Sequence, residues 1–155
     1  EWGEIVIRGP GVMKGYWNRP QDTERALRGG WLHSGDIGRM DEDGYVYIVD
    51  RVKDMINVSG FKVWPAEVEQ YLYKMPQVQE VAVYGVPHPE KGEQVAVAVV
   101  PKGGQALSAD EVIAYCRENI AAYKVPARVD VVSELPKSAT GKILKRILRD
   151  QAGQA

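Results

Sequence analysis

Residues 136–142, PKSATGK, form the loop with the clearest capacity for chemistry. Gly141 permits a close backbone approach, Lys142 is a mobile point charge, and a helix predicted to begin at Ile143 would add positive potential. TGK also ends phosphate-binding P-loops, but the earlier glycine of that motif is missing and Ile143 stands where Ser or Thr is needed. We therefore expect an anion-binding loop of another kind. The alternative is a solvated basic face formed by Lys137, Lys142, Lys145, Arg146 and Arg149.

Asp36 and Arg51 form a second candidate group. Asp36 follows a Ser-Gly pair, so its two acceptor oxygens are predicted to lie on a tight turn, a geometry suited to the two hydroxyls of a ribose. Arg51 could supply donors beside them. The glycine-rich stretches near Gly9, Gly15 and Gly35 could equally be plain turns, so the pair alone does not establish a nucleotide site.

Ser59 and Gly60 form a predicted turn before the short strand that leads to Pro65, where a helix is expected to begin. A functional glycine here would let a narrow ligand pass against the backbone. A structural one would only turn the chain. The pattern by itself leaves both interpretations open.

The composition excludes several classes of site. With 20 Lys and Arg against 21 Asp and Glu, the net charge of −1 gives no global field for nucleic acid or anionic membranes. The single Cys116 excludes an internal disulfide and is expected to pack in the core, and the isolated His33 and His88 offer no metal-ligand spacing. No apolar run approaches the ~20 residues that span a bilayer, so we expect a soluble, cytoplasmic protein.

Residues 1–50 have few predicted elements. EIVIR (4–8) and YVYIV (45–49) have the pattern of strands, and the stretch between them is rich in turn-forming residues. Two strands joined by such a long loop make a poor domain, so we expect the end of a larger upstream domain. Glu1 is not Met and a strand begins almost at once, which suggests that the numbering opens inside a longer protein.

From Met55 on, the pattern is strand, helix, strand, strand, helix, strand, helix. This order predicts an α+β domain whose helices pack on a largely antiparallel sheet. The predicted elements are a helix from Pro65 to Met75, strands at 80–86 and 94–100 joined by a long loop, a helix capped by Ser108 and Glu111, a strand at 127–132 and a basic helix at 143–150. The charged run DRVKD (50–54) could be a linker or a solvated turn.

Four stretches, in this order and spacing, resemble the closing motifs of the adenylate-forming superfamily. They are GEIVIRGPGVMKGYW, WLHSGD, GYVYIVDRVKDMINVSGFKVWPAEVE and LPKSATGKILKR. The superfamily contains acyl-CoA synthetases, luciferases and peptide-synthetase adenylation domains. DRVKDMINVSGFKVWPAEVE and YKVPARVDVVSELPKSATGKILKR are most similar to fatty acyl-CoA ligases of the medium- to long-chain type, and the match covers nearly the whole chain.

The resemblance implies a role for each candidate residue. Asp36 would bind the ribose hydroxyls of ATP, Arg51 would be a second nucleotide contact, and Lys142 would be the catalytic lysine of adenylation. Lys53 would be the hinge between residues 1–52, the end of the N-terminal domain, and residues 53–155, the C-terminal lid domain.

Ser59 and Gly60 would border the tunnel for the pantetheine arm of CoA. Asn57 differs from relatives that place a lysine at this position, so it is assigned no catalytic role. No residue is assigned to a metal.

The implied activity is an ATP-dependent acyl-CoA synthetase acting on a carboxylic acid, with a fatty acid favoured and CoA as cosubstrate. Family members hold Mg²⁺, a phosphate loop and an acyl pocket mainly in a large upstream domain, so the 155 residues alone are expected to be inactive. Two alternatives are an adenylation domain that loads a carrier protein and a non-catalytic nucleotide- or CoA-binding module. Neither a nucleic-acid partner nor a transmembrane segment is expected.

Overall fold

The computed structural model describes residues 2–153, which fall into two compact units divided between Lys53 and Asp54. The domain limits 1–52 and 53–155 stay a prediction, because a division into compact units does not identify the domains of a protein family. None of the helices within residues 2–153 is both long and apolar enough to cross a membrane.

The first unit is built on a three-stranded antiparallel sheet with β2 in the middle. Its elements are β1 (Gly3–Ile7), α1 (Pro20–Ala26), a 3₁₀ turn (Arg28–Gly30), β2 (Leu32–Met40) and β3 (Val46–Arg51). The two predicted strands are therefore present within one or two residues at each end. The structure adds a strand and a helix between them.

The prediction of a long, loop-rich connection between these strands was wrong. The β2 sequence LHSGDIGRM contains turn formers, but the strand pairs with β1 on one side and β3 on the other, and this pairing outweighs the local preference. Helix α1 buries none of its residues and so lacks the apolar periodicity that identifies most helices. Pro20 at its start was the available signal.

The second unit contains five strands and three α-helices. They are β4 (Ile56–Val58), β5 (Phe61–Val63), α2 (Pro65–Leu72), β6 (Val78–His88), β7 (Gly92–Pro101), α3 (Ala109–Asn119), β8 (Arg128–Val131) and α4 (Lys145–Ala152), with a 3₁₀ turn at Ala122–Lys124. A further 3₁₀ turn, Val52–Asp54, contains the division between the two units. The sheet order is β5-β4-β7-β6, all antiparallel, and β8 adds to β7 in parallel. This confirms the predicted α+β fold on a largely antiparallel sheet.

Both faces of this sheet are covered. Along β6, Val81 and Val83 face the core shared with α2 and α3, whereas Ala82 and Tyr84 face the core shared with α4. A strand covered on both faces reads as a nearly continuous apolar run, which explains EVAVYGV and QVAVAVV. Burial, with Asp130 adding to it, raises the pKa of Tyr84 to about 12.

Three boundaries differ from the predictions in ways that affect the loops. The predicted single strand before α2 is the β4-β5 hairpin, and the predicted long loop between β6 and β7 is only three residues, because His88 pairs with Gly92. Helix α4 begins at Lys145 and not at Ile143, which is held in a bridge with Lys137.

Helix α3 begins as predicted. The Ser108 side chain accepts from the Glu111 amide at 3.3 Å, and the Glu111 carboxylate accepts from the Ser108 amide at 2.7 Å, which completes a capping box. Cys116 is fully buried on the inner face of this helix, so the prediction that it packs in the core is confirmed. Burial raises the pKa of its thiol to about 11.

Candidate functional site

The loop that carries Lys142 is a tight hairpin. The Ser138 amide donates to the Lys142 carbonyl at 2.8 Å, the Gly141 amide donates to the Ser138 carbonyl at 2.9 Å, and Lys137 bridges Ile143 across the base. Gly141 has a φ of 79°, in the left-handed region that glycine adopts without strain. The backbone on both sides of Lys142 is therefore fixed, while its side chain is exposed.

The basic cluster around this loop does not form one uniform solvated face. Three of its members make ion pairs within the second unit: Lys137 with Glu80 (2.6 Å), Lys145 with Glu69 (2.8 Å) and Arg149 with Asp54 (2.8 Å). Lys142 and Arg146 make none with any residue between 2 and 153. Lys142 is thus an uncompensated cation on a structured loop. Helix α4, which was expected to begin directly after Lys142, begins at Lys145.

Ser59 and Gly60 are the two central residues of the β4-β5 hairpin, since Val58 pairs directly with Phe61. Both have positive φ, 52° and 88°, as a type I′ turn requires. The Gly60 amide donates to Asn57 Oδ1 at 2.9 Å. A Cβ built on Gly60 would meet no atom within 4 Å, so the turn is exposed and open on that side.

Asp36 and Arg51 lie opposite each other on β2 and β3, with Arg51 Nε 3.3 Å from Asp36 Oδ1. The prediction that Asp36 lies on a turn was wrong, because it is inside β2. A local irregularity does precede it: Gly35 has a φ of 74°, and the Asp36 amide donates to Ser34 Oγ at 3.1 Å. The carboxylate is 26% exposed, so it can still accept from a ligand.

A cleft of about 330 Å³ opens beside this pair, lined by Glu4, Ser34, Gly35, Arg51, Val52 and Lys53. Glu4 had no distinctive sequence signal, because it is only one polar position of an alternating strand. In the structure it accepts from His33 Nδ1 at 2.7 Å and from the Gly35 amide at 3.3 Å. The His33 hydrogen bond, supported by the Gly35 amide and by Arg28, holds the pKa of Glu4 below its ordinary value.

The structure thus places the predicted site residues at four positions. Asp36 and Arg51 form one contact in the first unit, and Lys53 lies in the 3₁₀ turn Val52–Asp54, at the last position of that unit. In the second unit, Ser59 and Gly60 form one turn, and Lys142 stands on a separate hairpin.

Residues 67–142 match the family model described as AMP-binding enzyme C-terminal domain. This part of the chain belongs to the family of AMP-binding enzyme C-terminal domains. A long-chain-fatty-acid–CoA ligase of Salmonella typhimurium is 53% identical over 152 residues, and a feruloyl-CoA synthase of an Amycolatopsis species is 50% identical over 153 residues. These matches cover 98% and 99% of this chain. They confirm the resemblance to acyl-CoA synthetases.

Solved AMP-binding enzymes share the fold. The ATP-bound structure of MatB from Rhodopseudomonas palustris matches 99% of this chain with a TM-score of 0.94 at 38% identity. The chain spans only 27% of the Salmonella ligase, 31% of the feruloyl-CoA synthase and 31% of the MatB chain.

Proposed function

We propose that this chain is the C-terminal part of an ATP-dependent acyl-CoA ligase and supplies the lysine for the first of two reaction steps. The observation that carries the proposal is Lys142, an exposed ammonium group without an ion-pair partner in residues 2–153, on a hairpin fixed by Ser138 and Gly141. Three neighbouring basic residues are neutralised by carboxylates, and of the other two only Lys142 lies on the hairpin, because Arg146 belongs to helix α4.

In the first step, a carboxylate oxygen attacks the α-phosphorus of ATP and pyrophosphate leaves. Both reactants are anions, so the protein mainly has to bring them together and stabilise the charge that develops between them. The Lys142 ammonium group suits this task. Asp36 would accept from the ribose hydroxyls, and Arg51, already held against Asp36, would be the second nucleotide contact.

In the second step, the CoA sulfur attacks the acyl carbonyl and AMP leaves. The pantetheine arm of CoA is narrow and would pass against the Ser59–Gly60 turn, where the absence of a side chain on Gly60 leaves room. Lys142 and Gly60 occupy different loops, so rotation about Lys53 would let them serve the same centre in turn. The position of Lys53 directly before the division between the two units supports its role as the hinge.

A fatty acid is the proposed acyl substrate. Long-chain-fatty-acid–CoA ligases support it, but the similar identity to a feruloyl-CoA synthase means that this part of the chain does not select between the two acids. Mg²⁺ would accompany ATP. Within residues 2–153, no group of three His, Cys, Asp or Glu side chains could hold a metal ion, so no residue is assigned to it.

The two alternatives make different predictions. An adenylation domain that loads a carrier protein would form acyl-adenylate but would transfer it poorly to free CoA. A non-catalytic binding module would form none. The names of the curated relatives, which include both fatty acyl and aromatic CoA ligases, favour transfer to CoA.

The direct test is to incubate the complete ligase with ATP, Mg²⁺, CoA and a panel of acids from acetate to oleate, with ferulate included. We expect equal amounts of AMP, pyrophosphate and acyl-CoA. The 155-residue chain by itself should give none of these products. Release of ADP in place of AMP, or turnover by the 155 residues alone, would contradict the proposal.

A further inference from the structure

We propose that Glu93 is a positioning residue that holds the Ser59–Gly60 turn in place for the thioester-forming step. The inference rests on the proposed function, in which this turn borders the path of the CoA thiol. Glu93 lies near the start of β7, on a different hairpin from the turn itself.

The connection runs through Asn57. Glu93 Oε2 accepts from the Asn57 amide at 2.8 Å, and Asn57 Oδ1 accepts in turn from the Gly60 amide at 2.9 Å. Strand β4 pairs with β7 only at Val58 and Gly92, so the main-chain ladder does not continue to Asn57. The Glu93 carboxylate takes the place of the missing ladder acceptor.

Gly85 makes this arrangement possible. It lies on β6, opposite Val95, and a Cβ at this position would be only 2.6 Å from Glu93 Oε1. A methyl group there would push the carboxylate away from Asn57. The φ of Gly85 is not in the left-handed region, so a glycine is favoured here by close contacts and not by the backbone conformation: Glu93 Oε1 lies nearest, and Ile56 Cγ2 would lie 3.2 Å from the same Cβ.

The turn needs this support because its conformation is not one that the backbone prefers. Ser59 has a φ of 52°, a left-handed conformation that disfavours a residue with a Cβ. A second support comes from the β6-β7 loop, where the Lys91 carbonyl accepts from the Ser59 amide at 2.9 Å. The β6-β7 hairpin therefore holds this segment at two main-chain amides: Glu93 accepts from Asn57 in β4, and the Lys91 carbonyl accepts from Ser59 in the turn.

The test separates the two half-reactions in the complete ligase. In Glu93→Ala, thioester formation from pre-made acyl-adenylate and CoA should slow by roughly 10-fold with a raised KM for CoA, as expected when a hydrogen bond to a charged group is lost. Adenylation, which uses Lys142, should stay within about twofold of wild type. Glu93→Gln keeps an acceptor oxygen and should restore most of the rate. Glu90→Ala, in the same hairpin, is the matched control and should change neither step.

Gly85→Ala should reproduce the Glu93→Ala defect, and the double variant should be no worse than either single variant, because both changes break the same contact. Equal loss of both half-reactions in Glu93→Ala, or failure of Glu93→Gln to restore the rate, would show a general structural role and overturn the inference. A normal thioester rate in Glu93→Ala would overturn it as well. If the wild type itself forms no acyl-CoA, the proposed function fails instead.

Discussion

The contact between Asp36 and Arg51 shows how a pair of residues far apart in sequence becomes one site. Register alone brings them together, because residues 36 and 51 are directly opposed in an antiparallel ladder. The sequence was sufficient to identify Asp36 and Arg51 as candidates, from their residue types and from the order of the motifs that contain them. The strand that holds Asp36 could not be recognised, because its residues prefer turns and only pairing on both edges makes it extended.

We predict that Asp36→Ala weakens the use of ATP by roughly 10- to 100-fold in kcat/KM, the range expected when hydrogen bonds to a charged group are lost. The diagnostic measurement is discrimination by the sugar. The wild type should prefer ATP to 2′-deoxy-ATP, and the variant should have lost most of this preference.

Asp43→Ala is the matched control for this prediction, because Asp43 is an exposed carboxylate in the turn between the same two strands. It should leave both nucleotides unaffected. If Asp36→Ala keeps the full preference for ATP, Asp36 does not contact the ribose.

At the level of single elements, the second unit was far more predictable than the first. Helix α3 was identified from Ser108, Glu111 and its apolar face, since all these signals are local. The turn at Ser59 and Gly60 was identified for the same reason. The hydrogen bond from the Asn57 amide to Glu93 was not predictable, because it depends on how two hairpins lie beside each other.

The capping box of α3 gives a stability prediction. Ser108→Ala in the 155-residue chain should lower the free energy of unfolding by about 1 kcal/mol at neutral pH, the usual cost of losing such a cap. Hydrogen bonds from the Ser108 side chain and amide hold the pKa of Glu111 below its ordinary value. A carboxylate whose pKa is lower in the folded than in the unfolded protein stabilises the fold at pH values above the unfolded pKa. This stabilisation is lost as the pH falls through the folded pKa.

The effect of Ser108→Ala should therefore shrink in acid, which urea titrations at neutral and low pH would measure. Ser133→Ala, at an exposed serine outside the helices and strands, is the control and should have little effect at either pH. An effect of Ser108→Ala that does not depend on pH would mean that Glu111 takes no part in the cap.

Burial of Cys116 leads to a second prediction for α3. With a thiol pKa of about 11 and no exposed surface, Cys116 should react with iodoacetamide at pH 8 only after unfolding. Mass spectrometry of the peptide that contains Cys116, labelled with and without urea, would check this. Rapid labelling of the native protein would show that α3 opens readily from the sheet.

For the whole molecule, the proposed function requires a change of lid orientation between the two steps. Lys53→Pro would fix φ near ~−65° and remove an amide donor, so it should trap one orientation and abolish one half-reaction while sparing the other. Lys53→Ala keeps the amide and the backbone freedom and is the matched control. Equal slowing of both half-reactions by Lys53→Pro, or no effect on either, would place the hinge elsewhere.

Lys142 is proposed to serve adenylation and not thioester formation, and a pair of single-turnover assays on Lys142→Ala would distinguish the two steps. Starting from ATP and acid, acyl-adenylate formation should slow by roughly 10²- to 10³-fold, the usual cost of removing one preorganised donor to developing charge. Starting from pre-made acyl-adenylate and CoA, the rate should stay close to that of the wild type. Arg146→Ala, which removes the other basic residue of the cluster without an ion pair in residues 2–153, should leave both rates unchanged. Equal loss of rate in both assays of Lys142→Ala, or no loss in the first, would show that Lys142 is not the adenylation lysine.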